Sequence, residues 1–167
     1  MLIRRLTPQD TARFQALRLQ ALREDASAFS SSYEEERDTP LAAVAQFLTD
    51  RIMLGAFADE ELVGMIGVGR ESLRKTQHKG SIRAMYVAPG QRGAGVAKRL
   101  MTEAVAVLES MGGVRQVTLA VTSGNAAAMA LYVSMGFTPF GREPDSLLVD
   151  GVMYEDIHMV RYLAEGT

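Results

Sequence analysis

The 167-residue chain has no cysteine, no tryptophan and only two histidines, His78 and His158. The missing cysteine excludes a disulfide framework, a catalytic thiol and any sulfur-ligated zinc or iron–sulfur site. Two histidines far apart in sequence lack metal-ligand spacing, so no metal is expected and a histidine-based triad is a poor fit. An excess of charge is lacking as well: 18 Lys and Arg against 20 Asp and Glu leave a net charge of −2. A protein that grips duplex phosphates needs a broad cationic face, so nucleic acid is not an expected partner. No apolar run approaches the roughly 20 residues that span a bilayer, so no membrane partner is expected. Met1 to Arg5 reads as a strand and not as a secretory leader, because its charges follow a short apolar core. A cytoplasmic location agrees with this and with the absence of cysteine.

Hydrophobic residues make up 47% of the chain and charged residues 23%, which is ordinary for a globular domain and excludes a disordered one. The length suits one domain over residues 1–167, burying about two-thirds of the surface of its unfolded chain. No repeat, linker or low-complexity segment interrupts it.

Periodicity supplies the elements. Leu2 to Leu6 is a short strand, and Thr7-Pro8 opens an amphipathic helix over roughly 8–24 with Phe14, Leu17, Ala21 and Leu22 on one stripe. Residues 26–36 lack a clean period and read as a loop or a broken helix. Thr39-Pro40 opens a second helix carrying Leu41, Val44, Ala45 and Leu48. Ile52–Ala58 and Leu62–Val68 form a hairpin, and Ile82–Val87 is a further strand stopped by Ala88-Pro89-Gly90. A long helix follows Gly95, with Val96, Leu100, Met101, Ala104, Val105, Leu108 and Met111 as its stripe, and Gly112-Gly113 ends it. Val114–Val121 is a strand, Asn125 starts a helix to about Met135, and two strands close the chain. Strands that alternate with helices late in the chain predict a mixed α/β sheet and not a bundle.

The most informative segment is Val87-Ala88-Pro89-Gly90-Gln91-Arg92-Gly93-Ala94-Gly95-Val96-Ala97, where a strand enters a glycine-rich turn and then a helix. Glycines let backbone N–H groups approach an anion closely. The helix start adds orphan N–H groups and the positive end of its dipole, which together suit a phosphate or pyrophosphate. A Walker A loop needs Gly-Lys-Ser/Thr, and Lys98 here follows Ala97. A dinucleotide fingerprint needs a third glycine where Lys98 stands. A plain tight turn into a helix is the remaining ordinary reading.

Arg92, Gly95 and Ala97, preceded by Tyr86-Val87-Ala88-Pro89, resemble the acetyl-CoA loop of the GNAT superfamily of N-acetyltransferases. Some thirty residues on, Asn125, Ala128, Leu131, Tyr132, Gly136 and Phe137 fall on a pattern similar to that family's Asn-x-x-Ala-x-x-Leu-Tyr-x-x-x-Gly-Phe. The resemblance implies an α/β fold with a mostly antiparallel twisted sheet of about seven strands, one parallel splayed pair and about four flanking helices. It implies acetyl-CoA as co-substrate, held by backbone near Met85, Tyr86 and Val87, by the turn Arg92, Gly93, Ala94, Gly95, Val96 and Ala97, and by Asn125. It implies Tyr132 as proton donor to the departing thiolate, and direct attack by a primary amine of a small molecule or protein.

A base is needed because an ammonium near pKa 10.4 has no lone pair to attack with. Relatives often carry a glutamate near the start of the cofactor strand, where this chain has Gly80-Ser81-Ile82-Arg83. Candidates elsewhere are Glu34 and Glu35 first, then Glu71 or Glu155. The acidic run Glu34–Glu36 with Asp38 points to a cationic acceptor. His158 reads as a structural strand residue. The rival reading is a non-catalytic acyl-CoA-binding or sensing domain of the same fold. A monomer and a homodimer are both compatible with the sequence.

Overall fold

The computed structural model describes residues 1–164. Strand β1 is Leu2–Arg5, followed by helices α1 (Thr11–Glu24), α2 (Tyr33–Glu36) and α3 (Leu41–Asp50). Strands β2 (Ile52–Ala58), β3 (Glu61–Arg70) and β4 (Lys79–Val87) precede the long helix α4 (Val96–Ser110). Strand β5 (Gln116–Thr122), helix α5 (Ala126–Ser134) and the hairpin of β6 (Thr138–Val149) with β7 (Val152–Tyr162) complete it. One seven-stranded sheet runs in the order β1-β2-β3-β4-β5-β7-β6. Every neighbouring pair is antiparallel except β4 with β5.

Strand alternation divides the core between the two sheet faces. One face carries Leu54, Ile66, Ile82, Val117 and Met159 against the apolar stripe of α4, where Leu100, Met101, Ala104 and Leu108 are fully buried. The other carries Met53, Phe57, Met65 and Tyr86 against Phe14 and Leu17 of α1 and Leu48 of α3. The entrance to α1 is fastened by Asp10, whose buried carboxylate accepts two bonds from Arg4 (2.7 and 2.8 Å) and one from Thr7 N (2.9 Å). These bonds, led by that from Arg4, hold the Asp10 pKa down to about 2 against the opposing pull of burial.

Several boundaries differ from those that the pattern gives: the helix expected from about residue 8 opens as a 3-10 turn, Pro8–Asp10, before α1, and β5 starts at Gln116 and not at Val114. The segment 26–36 contains a short 3-10 turn, Ala26–Ala28, and the single-turn helix α2. Strands β3 and β4 are longer at their shared end, to Arg70 and from Lys79, because Arg70 pairs with Gly80 despite the polar sequence. Strand β6 continues through Gly141-Arg142-Glu143-Pro144 with two register shifts, which let an edge strand hold a proline.

Candidate active site in the fork between two strands

Strands β4 and β5 share only three register positions, Lys79 with Gln116, Gly80 with Val117 and Ser81 with Thr118. Beyond them they part. The cause lies in β4: Gly67 of β3 faces Arg83 but Met65 faces Tyr86, so Ile66 stands opposite both Ala84 and Met85. Ala84 takes a φ of +54°, a left-handed conformation that bends the strand at this bulge. The resulting fork opens into a cavity of about 1030 Å³.

One end of that cavity is the glycine turn. Gly93 and Gly95 have φ of +79° and +78°, and Gly95 caps α4. Arg99 N makes the first bond back to Gly95 O, so the N–H groups of Val96, Ala97 and Lys98 have no partner within the helix. Gly93, Gly95, Val96, Ala97 and Lys98 all line the cavity, whereas Ala94 is exposed and lies off its wall. The Arg92 side chain is already engaged. Its Nε donates to Val87 O (2.9 Å), its Nη2 pairs with Asp25 (3.0 Å), and it lies over the Tyr86 ring. Tyr86 is buried on the α1 side with its hydroxyl donating to Glu24, and that burial and bond push its phenol up. Of Tyr86, backbone is what remains to face a ligand. Met85 and Val87 line the fork.

Asn125 stands at the wall and caps α5, its Oδ1 accepting from Ala128 N (3.2 Å). Tyr132 is buried edge-on against Phe137, with ring centroids 6.3 Å apart, and lines the same cavity. Among the described residues its hydroxyl has no protein partner, yet it is no buried orphan, so it opens to the cavity. Burial raises its pKa to about 12, which keeps the phenol protonated at neutral pH.

The glutamates ranked first by sequence stand elsewhere. Glu34 is exposed on α2 and lines neither cavity. Glu35 closes a capping box: its carboxylate accepts from Ser32 N (2.8 Å) and Ser32 Oγ (2.9 Å), and these bonds lower its pKa. Glu36 turns inward, where burial pulls its pKa up, and the two-pronged bond from Arg18 (2.8 and 3.0 Å), the Arg18 charge and a bond from Ser31 together bring it below the ordinary value. Glu155 pairs with Arg142 at 2.6 Å, away from the cavity wall.

Several wall residues carried little signal in the sequence. His158, Asp156, Leu147 and Phe140 of the terminal hairpin line the fork cavity. His158 Nε2 lies 2.9 Å from a Glu143 carboxylate oxygen and its ring is tilted against Phe140. The alternation Ile157-His158-Met159 does hold the clue: two buried apolar neighbours force the histidine to the opposite face. A second cavity of about 640 Å³ lies under α1 and α3, and Arg18, Ser31, Ser81, Arg83 and Ala84 line both. Among the described residues no cluster of His, Asp or Glu could hold a metal ion. No described helix is long and apolar enough to cross a membrane.

The chain is similar to known proteins in sequence and in fold. Residues 19–137 match the sequence profile of the acetyltransferase (GNAT) family, and the chain belongs to that family. The mycothiol acetyltransferase of Brachybacterium faecium is 37% identical over 91 residues, 54% of this chain and 27% of that protein. The chain thus matches about a quarter of that relative's length. A GNAT-family acetyltransferase from Streptococcus pneumoniae superposes with a TM-score of 0.87 at 21% identity, covering 97% of this chain and 99% of that one. A putative acetyltransferase from Salmonella typhimurium, solved with its cofactor acetyl-CoA, gives 0.85 at 20% identity over 100% and 96%. Ribosomal-protein-alanine N-acetyltransferase from Brucella melitensis gives 0.83 at 23% over 98% and 100%. At these identities the structures share the fold.

Proposed function

We propose that this protein is an N-acetyltransferase that moves an acetyl group from acetyl-CoA to a primary amine by direct attack. One observation carries the reading: a single cavity joins the strand fork, the orphan N–H groups of α4 and the free hydroxyl of a buried tyrosine. The residues fit the co-substrate. A Cβ added at Gly93 or Gly95 would meet nothing within 4 Å, so the turn is open above its backbone, as a pyrophosphate requires. Val96, Ala97 and Lys98 would supply N–H donors to it, and backbone of Met85 and Val87 would pair with the pantetheine amides. Asn125 keeps its side-chain amide N–H groups for the same ligand while its Oδ1 caps α5.

Acetyl-CoA supplies an activated thioester whose carbonyl carbon is the electrophile. The backbone N–H groups released by the bulge at Ala84 would face the carbonyl oxygen as charge develops there. Tyr132 would donate its hydrogen bond to the departing sulfur. Full proton transfer from a phenol near 12 to a thiolate of pKa about 8.5 is uphill, so that bond matters most while the C–S bond breaks. His158, held by Glu143 on the cavity wall, is the residue best placed to take the amine's proton. Glu35 is a poor base because it lines neither cavity and its Oε2 already takes both bonds from Ser32. Glu71, on the wall of the second cavity, is the remaining carboxylate of the four named above.

Titration calorimetry with acetyl-CoA, followed by CoA-release assays over a panel of amines, tests the proposal. Binding with turnover on one amine class supports it. Binding without turnover across the panel favours the non-catalytic domain. Loss of binding altogether removes the co-substrate from the account.

A further inference from the structure

The acidic run at Glu34–Glu36 pointed to a cationic acceptor, and the wall of the second cavity points the other way. We infer that the acceptor amine also carries a carboxylate, and that Arg83 binds it; the inference rests on the acetyl-transfer reading above. Gly67, Gly69, Ser81 and Arg83 share one sheet face, because Gly67 pairs with Arg83 and Gly69 with Ser81. The Arg83 side chain lies on the bare backbone of β3. A Cβ built at Gly67 would come within 3.2 Å of its Cγ, and one at Gly69 within 3.5 Å of its Nη2. Arg83 Nη2 donates to Ser81 Oγ at 3.0 Å, which fixes one end of the guanidinium, and both residues line both cavities. Its other N–H groups have no acceptor among the described residues. A guanidinium fixed at one nitrogen and free at the others suits a planar carboxylate.

The neighbouring charges agree. Of the other arginines on the second wall, Arg18 is neutralised by Glu36. Arg70 reaches away to the carbonyls of Gln77 (2.6 Å) and Met111 (3.3 Å). Arg51 and Arg83 have no ion-pair partner among the described residues, against one such carboxylate, Glu71. The excess is cationic.

The sheet order also orients the acceptor. Ser81 pairs with Thr118 at the fork, and two residues further along stand Arg83 on β4 and Ala120 on β5. Ala120 pairs with His158 of β7. An acceptor lying across the fork has Arg83 on one side and His158 on the other, its carboxylate at the first and its amine toward the second.

The test compares α-amino acids with their carboxamides, pair by pair, in the CoA-release assay. The native protein should favour the acid in kcat/KM by about tenfold or more, the usual scale of a charged hydrogen-bonded contact. Arg83→Gln should bring that ratio down toward one. Ser81→Ala, which frees the guanidinium without removing its charge, should lower the ratio by a smaller factor. A second readout is independent of turnover: the amino acid, but not its amide, should raise the melting temperature of the acetyl-CoA-loaded protein, and Arg83→Gln should abolish the rise. Equal turnover of acid and amide, or a preference that survives Arg83→Gln, overturns the inference. If no amine is turned over, the melting shift still decides the carboxylate site: a shift for the acid alone upholds it, and equal shifts reject it.

Discussion

Single residues divide here into those whose side chains are committed and those left free. Tyr132 is the clearest free group: buried, protonated and open to the cavity. Tyr132→Phe should keep acetyl-CoA affinity within about twofold and lower kcat by about ten- to a hundredfold, the range expected for one positioned proton donor. Unchanged kcat would remove the hydroxyl from the mechanism. Glu35 is the opposite case. Glu35→Gln should leave kcat and its pH profile as they are, because the carboxylate serves Ser32 and not the cavity. Loss of the rising limb on the acidic side of that profile would restore Glu35 as the base. Asp10 belongs to stability. Its folded pKa lies below its unfolded one, so its contribution is complete above about pH 4 and fades as pH falls toward 2. The shift corresponds to about 2 kcal/mol, so Asp10→Asn should lower the denaturation midpoint at pH 7 and lose that difference near pH 2.

At the scale of elements, the turn into α4 is where backbone conformation and the proposed binding meet. Gly95→Ala places a side chain at φ +78°, with no steric neighbour within 4 Å, so its cost is the left-handed backbone alone, about 1 kcal/mol. If the helix start then relaxes, the orphan N–H groups lose their aim. Acetyl-CoA affinity, read by calorimetry, should therefore fall more than the melting temperature does. Most of this was legible beforehand. Gly93 and Gly95 stand between a strand and an apolar helical stripe, and Asn125 precedes another helix; both signals are local in sequence. The bulge at Ala84 was not legible. Nothing in Arg83-Ala84-Met85 signals a positive φ, and the bulge exists because β3 pairs with β4 on both sides of it. The positions of the three glutamates were hidden for a related reason. Glu34-Glu35-Glu36 looks like one acidic feature, but a single helical turn sends Glu35 back to its cap and Glu36 in toward Arg18.

Across the whole molecule, the stripe of α4 and the alternation of the strands made the core readable almost residue by residue. Leu100, Met101, Ala104 and Leu108 are buried as their spacing requires. Leu100→Ala, at a side chain that also fills the space over Gly64, should cost about 2–5 kcal/mol in chemical denaturation. A loss below 1 kcal/mol would mean that α4 packs more loosely than its burial indicates. The cavity walls resisted reading for the opposite reason. They combine Ser31 from a loop, Ser81 and Arg83 from one strand and His158 from another far along the chain. Only the sheet order β4-β5-β7 brings these together.

The three rungs that join β4 to β5 make the sheet two antiparallel leaves stitched at one end, β1 to β4 on one side and β5 to β7 on the other. A molecule seated between the leaves touches both and completes the missing rungs with its own polar groups. Its arrival is then a stiffening of the seam as well as a filling of space. Amide exchange at Met85 and Val87, on the unstitched stretch, should slow more than at Ile66 or Met65 on the neighbouring strand, because one set of amides gains partners and the other already has them.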